Sequence, residues 1–145
     1  MRFHTSLPVF DIKDTVAFYR VLFDETPVKT KSDYAKFLPQ GADLNISFHH
    51  NPDGAKQLRS LHLGFELTDQ SALDNAFQRL EEAGLVSEAR YTSLCCYANQ
   101  DKFQVTDPNG YEWELYYLLE DTEEGISPKT TCCASQTDTT TSSCS

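Results

Sequence analysis

Two stretches of the chain alternate apolar and polar residues and then switch to helical spacing. In 3–9, Phe3, Thr5, Leu7 and Val9 oppose His4, Ser6 and Pro8. In 61–67, Leu61, Leu63, Phe65 and Leu67 oppose His62, Gly64 and Glu66. A period of two predicts a strand with one buried face. An Asp suited to helix capping follows each strand, Asp11 and Asp69, and an amphipathic helix follows each Asp. In the second helix Leu73, Ala76, Phe77, Leu80 and Ala83 fall on one stripe, and Gly84 supplies the stop. Three short strands are expected after each helix, near 27–31, 34–38 and 43–49, then near 88–92, 101–106 and 112–118. In the last, Trp113, Leu115 and Tyr117 face the helix layer, and Glu112, Glu114 and Tyr116 face the other way.

The two halves read as a repeat. At an offset of 58, His4 aligns with His62, Asp11 with Asp69 and Leu22 with Leu80; later, Lys36 and Phe37 align with Lys102 and Phe103, and Asn45 with Glu114. The second half has gained residues before its third strand, where Cys95 and Cys96 sit. The expected fold class is α+β, with paired βαβββ modules forming a curved mixed sheet around a cleft. The domain is expected over 1–120, with modules at about 1–50 and 58–120. The tail, 121–145, is rich in Thr and Ser, lacks periodicity and is expected to be disordered.

Bulk properties narrow the partners. A chain of 145 residues fits one domain with a sizeable core. Twelve basic residues against 22 acidic ones give a net charge of −10, which argues against nucleic acid or an anionic membrane surface. No apolar run could span a bilayer, and MRFHTSLPVF does not resemble a signal peptide, so a cytoplasmic protein is expected. The five cysteines, Cys95, Cys96, Cys132, Cys133 and Cys144, are then expected as thiols.

Strand parity puts His4, His62 and Glu114 on polar faces, with the two histidines at matched places in the repeat. Two imidazoles and one carboxylate are the facial triad of non-haem Fe(II) sites, which leaves positions open for oxygen and substrate. The residue aligned with Glu114 is Asn45, a poor ligand, so no fourth protein ligand is expected. His49 and His50, before the NPDG turn, are expected to face solvent.

These halves and the triad resemble the vicinal oxygen chelate superfamily, which includes glyoxalases, extradiol dioxygenases and fosfomycin-resistance proteins. Within it, DYAKFLPQGADLNISF (33–48), EEAGLVSEARYTSLCCY (81–97) and CCYANQDKFQVTDPNGYEWELYYL (95–118) closely resemble the C–As lyases, often described as cadmium-induced or glyoxalase-like proteins. The resemblance implies Fe(II) on His4, His62 and Glu114, with another divalent metal able to substitute, and a trivalent organoarsenical held by Cys95 and Cys96. It implies dioxygen-using cleavage of the C–As bond to give arsenite. Arsenic(III) is soft and thiophilic, so paired thiolates suit it. The family usually has two Thr where Ser93 and Leu94 stand, and often an aromatic residue at Gln104, departures that bear on substrate fit. Tyr97 and Lys102 are candidate catalytic groups, a hydrogen-bond donor to bound oxygen and a stabiliser of developing negative charge. DPNG (107–110) is expected to be a hairpin turn that sets the register of Glu114. The tail cysteines, Cys132, Cys133 and Cys144, are candidates for capturing a metalloid. This fold often forms homodimers or swaps halves. The competing readings are an extradiol-type dioxygenase, for which a thiol pair is unnecessary, and a non-catalytic protein that sequesters cadmium or arsenic, for which a triad is unnecessary.

Overall fold

The computed structural model describes residues 1–58, 61–95 and 98–121. The tail beyond Asp121, with its three cysteines, lies outside them, as do Cys96 and Tyr97. The first module runs β1 (Phe3–Val9), α1 (Ile12–Phe23), β2 (Lys29–Thr30), β3 (Tyr34–Phe37) and β4 (Leu44–His50). A short helix, α2 (Pro52–Gln57), leads to the second: β5 (His62–Glu66), α3 (Gln70–Glu82), β6 (Val86–Cys95), β7 (Ala98–Thr106) and β8 (Glu112–Asp121). Each module is a four-stranded sheet, ordered β1-β4-β3-β2 and β5-β8-β7-β6. In each, the first strand pairs in parallel with the last and the others pair antiparallel. The βαβββ repeat is therefore present in both halves.

The caps are those the sequence encodes. Asp11 accepts from the Asp14 amide and Asp69 from the Ala72 amide, which satisfies free donors at the starts of α1 and α3. Asp24 closes α1 in the left-handed region, and Gly84 takes a φ of 68° after α3. The NPDG segment is a helical turn instead of a plain loop. Asn51 accepts from the Gly54 amide, and Pro52 occupies the first turn, where its missing N–H costs nothing. β6 is longer than alternation suggests. Register shifts near Glu88 break its period of two, which hides its length from a parity reading.

Both modules share one core. Leu7, Tyr19, Phe37, Ile46 and Phe48 from the first module join Leu73, Leu80, Phe103, Trp113 and Leu115 from the second. Tyr19 lies at its centre, with its ring beside Phe48 and Trp113, and Phe23 packs edge-on to Phe65. The helix-covered faces of the two sheets thus turn toward each other, and the polar faces turn outward.

The DPNG segment does more than turn the chain. Asp107 is buried, and its Oδ1 accepts from the amides of Asn109 and Tyr111. Its Oδ2 accepts from the Tyr19 hydroxyl at 3.0 Å, and the Tyr19 hydroxyl oxygen in turn accepts from the Trp113 indole at 2.8 Å. Asn109 accepts from the Phe10 amide, and Tyr111 donates to the Pro8 carbonyl. A fully satisfied polar network therefore joins α1 and β1 of one module to the entry of β8 in the other, which fixes where Glu114 starts its strand. Burial, and then Asp107, push the Tyr19 phenol well above its usual range, so it remains a donor.

Candidate metal site

His4 lies on the outer face of β1 and is exposed. Its Nδ1 stands 3.1 Å from the Asn45 carbonyl, an acceptor only, so Nδ1 carries the hydrogen and donates. That leaves the Nε2 lone pair free to ligate, the orientation a metal-binding histidine needs. Beside it, Asn45 Oδ1 is closed to solvent and has no hydrogen-bond partner among the described residues.

His62 and Glu114 share the outer face of the second sheet. Gly64 pairs with Glu114 across β5 and β8, and His62 pairs with Glu112, so His62 and Glu114 are diagonal neighbours. His62 Nδ1 is 3.8 Å from Glu112 Oε2. Gly64 has an ordinary backbone, but a Cβ there would lie 2.9 Å from the Glu114 carbonyl oxygen. The missing side chain lets the strand carrying His62 close against Glu114 and leaves that row of the face open. Gly64→Ala is expected to destabilise the domain by about 1–3 kcal/mol, since the opposing atom is backbone and cannot swing away. It should also weaken divalent-metal binding; urea unfolding and metal titration check both, and a variant normal in each would show the close approach to be dispensable.

Lys102 is on the same face and almost fully buried, at 3% exposure. Its Nζ donates to Glu114 Oε2 at 2.9 Å, and the ammonium lies 5.7 Å from the centre of the Tyr91 ring. The buried ammonium holds one oxygen of the partly buried carboxylate in place. Tyr116 is one row on, with its hydroxyl donating to Glu66. Burial, then Glu66, raise its phenol above the usual tyrosine range, so it stays protonated at neutral pH. Tyr116 appeared in the sequence only as a face-sharing residue; its pairing with Glu66 was not legible there.

β6 ends at Cys95, which pairs with Ala98 at the start of β7. The hairpin is pinned to α3 from the opposite face: Arg90 donates to both Asp101 and Asp74, and Gln70 donates to Asp101. Arg90, then burial acting the other way, leave the Asp101 carboxyl below its usual range.

The donor set fits a divalent ion in kind: one imidazole with its tautomer set, a second imidazole and a held carboxylate, with Gly64 leaving room between the last two. One chain supplies it in two parts. Among the described residues, no three His, Cys, Asp or Glu side chains form a group able to hold a metal ion. His4 stands on the outer face of the first sheet, and His62 and Glu114 on that of the second. The internal symmetry is also less strict than the offsets imply. Lys36 pairs with Ser47 as Lys102 pairs with Tyr116, which matches Asn45 to Glu114. Yet His4 stands opposite Asn45 where His62 stands opposite Glu112, a slide of two residues.

A family model described as the Glyoxalase/Bleomycin resistance protein/Dioxygenase superfamily matches residues 3–115, and the chain belongs to that superfamily. It is 34% identical over 142 residues to the probable trivalent organoarsenical cleaving enzyme of Bacillus subtilis (strain 168), with 97% of each chain covered. It is 35% identical to the trivalent organoarsenical cleaving enzyme of Bacillus sp. (strain MD1), covering 92% of this chain and 83% of that one. It is also 38% identical to the cadmium-induced protein CadI of Mycobacterium tuberculosis (strain ATCC 25618 / H37Rv), covering 84% of this chain and 79% of that one. Among solved structures, the glyoxalase/bleomycin resistance protein/dioxygenase from Alicyclobacillus acidocaldarius superposes with a TM-score of 0.66 at 15% identity, covering 83% of this chain and 92% of that one. The fosfomycin resistance protein FosX from Listeria monocytogenes does so with a TM-score of 0.60 at 20% identity, covering 81% and 92%. At those identities the structural likeness is one of fold. No helix among the described residues is long and apolar enough to cross a membrane.

Proposed function

We propose that this protein is an Fe(II)-dependent enzyme that uses dioxygen to cleave the C–As bond of trivalent organoarsenicals. The observation that carries this reading is the likeness, over nearly the whole chain, to proteins named as organoarsenical cleaving enzymes. It is supported by a two-histidine, one-carboxylate donor set, of which His62 and Glu114 share the second module with the vicinal cysteine pair. Fe(II), held by His4, His62 and Glu114, would supply the oxygen chemistry. Cys95 and Cys96 take the arsenic, leaving its carbon substituent directed at the metal. Lys102 holds Glu114 in its ligating position, and Tyr97 serves as a donor near the reacting group. Arsenic leaves as arsenite and the carbon fragment is oxidised.

A second copy of the chain completes the site: His4 of one copy joins the partner's His62 and Glu114. The outward polar faces, and the lack of a three-donor group among the described residues, support this arrangement.

The likeness to CadI favours one other reading, thiol sequestration of a soft metal. Turnover number separates them. Reduced, iron-loaded protein in air should release many equivalents of arsenite per chain from a methylarsenical. Release that stops at or below one equivalent, with the arsenical still bound, would favour sequestration.

A further inference from the structure

β6 does not run evenly along β7. Val86 pairs with Val105 and Glu88 with Gln104, yet Tyr91 pairs with Lys102. From Glu88 to Tyr91 the chain advances three residues, while β7 advances two from Gln104 to Lys102. One extra residue is therefore folded into β6 at 89–90, a β-bulge. Beyond it the ladder is regular: Thr92 meets Asp101, Ser93 meets Gln100 and Cys95 meets Ala98. In this register the Tyr91 ring lies beside the ammonium of Lys102, which is almost fully buried and donates to Glu114. Without the extra residue Tyr91 would meet Asp101 and turn toward α3, because a slip of one residue inverts the faces of a strand.

Arg90 sits in the bulge. Its Nε donates to Asp101 Oδ1 at 3.0 Å, its Nη2 to Asp101 Oδ2, and its Nη1 to Asp74 Oδ1 at 2.7 Å. Asp101 belongs to β7 and Asp74 to α3, so one guanidinium ties the bulge to both. Gln70 of α3 donates to the same Asp101 carboxylate at 2.8 Å. A planar fork bonded to two carboxylates fixes position and orientation together.

We propose that Arg90 is a positioning residue: by locking the bulge it fixes the register that sets Tyr91 against Lys102 and Cys95 against Ala98, and so places the thiol-bearing segment relative to Glu114. It acts through the backbone of β6, from the face opposite Glu114. The link to arsenical capture rests on the reading that Cys95 and Cys96 hold the arsenic.

The test compares reduced, full-length wild type with Arg90→Gln, Arg90→Lys and Asp74→Asn. Three quantities are read: cross-strand NMR contacts of Tyr91 with Lys102 and of Ser93 with Gln100, the rate of Lys102 acetylation by mass spectrometry, and affinity for a trivalent phenylarsenical. Wild type should show both contacts and a protected Lys102. Arg90→Gln should lose the contacts, acetylate Lys102 at least about tenfold faster and bind the arsenical at least about tenfold more weakly, the scale of a lost hydrogen bond to a charged group. Arg90→Lys should restore only part of this, since an ammonium lacks the fork. Asp74→Asn removes one arm at an exposed position of α3 and should shift labelling and affinity the same way by less. Wild-type contacts and protection in Arg90→Gln would overturn the proposal, as would a lost register with unchanged arsenical affinity. If Arg90→Gln does not fold, wild-type labelling and affinity in Asp74→Asn would overturn it instead. A Cys95→Ser/Cys96→Ser protein that still binds the arsenical would remove the thiol reading and the link to capture, while the contacts and labelling would still decide what Arg90 does to the register.

Discussion

His4→Ala and Glu114→Ala proteins, each inactive alone, should recover about a quarter of wild-type activity when mixed and allowed to exchange subunits. The number follows from symmetry: half of the dimers are mixed, and each mixed dimer has one intact site of two. The intact site pairs the His4 of the Glu114→Ala chain with the His62 and Glu114 of the His4→Ala chain; the other site has lost both ligands. If one chain held all three ligands, every site would carry a defect and mixing would restore nothing. The expectation comes directly from the packing, since Tyr19, Phe23 and Trp113 lock the helix faces of the two modules together. Each alanine should also abolish tight metal binding by the separate variants, because two ligands hold a divalent ion poorly.

Replacing both Cys95 and Cys96 by serine should lower kcat/KM for a trivalent methylarsenical by at least about a thousandfold, or about 4 kcal/mol. On the proposed reading the thiolates would both capture the arsenic and orient its carbon substituent, so binding and turnover should fall together. A single serine leaves one As–S bond and no fixed orientation, so either single variant should lose most of this activity as well. Metal affinity should stay at the wild-type level in all three, since neither thiol is a proposed ligand. A double-serine protein with normal turnover would leave the metal site standing and remove the arsenical.

Much of the fold could be read from strand parity and caps. His4, His62 and Glu114 do lie on the faces that alternation assigns them, because a buried opposite face enforces the period of two. Asp11 and Asp69 cap the helices they precede. Parity, however, says only which face a residue is on, not what that face meets. The way the modules join depends on Tyr19, Asp107 and Trp113, which are distant in sequence and whose meeting has no local signature. For the same reason the DPNG segment looked like a simple turn, although Asp107 and Asn109 clamp the two modules together. His49 was misjudged because the NPDG that follows it suggests a strand end open to solvent. β4 continues through His50, and Ser6 reaches across to the ring. Lys102 was legible as a charged group near the site, but its pairing with Glu114 requires the diagonal register of β7 and β8.

The central claim is best tested by one single-turnover measurement. Reduced protein is loaded anaerobically with Fe(II) and one equivalent of a trivalent methylarsenical, then exposed to air, and arsenite is quantified over time. The account predicts no arsenite before air, close to one equivalent after it, and none when iron is omitted or replaced by zinc. Arsenite released without oxygen, or at full rate with zinc, would contradict it.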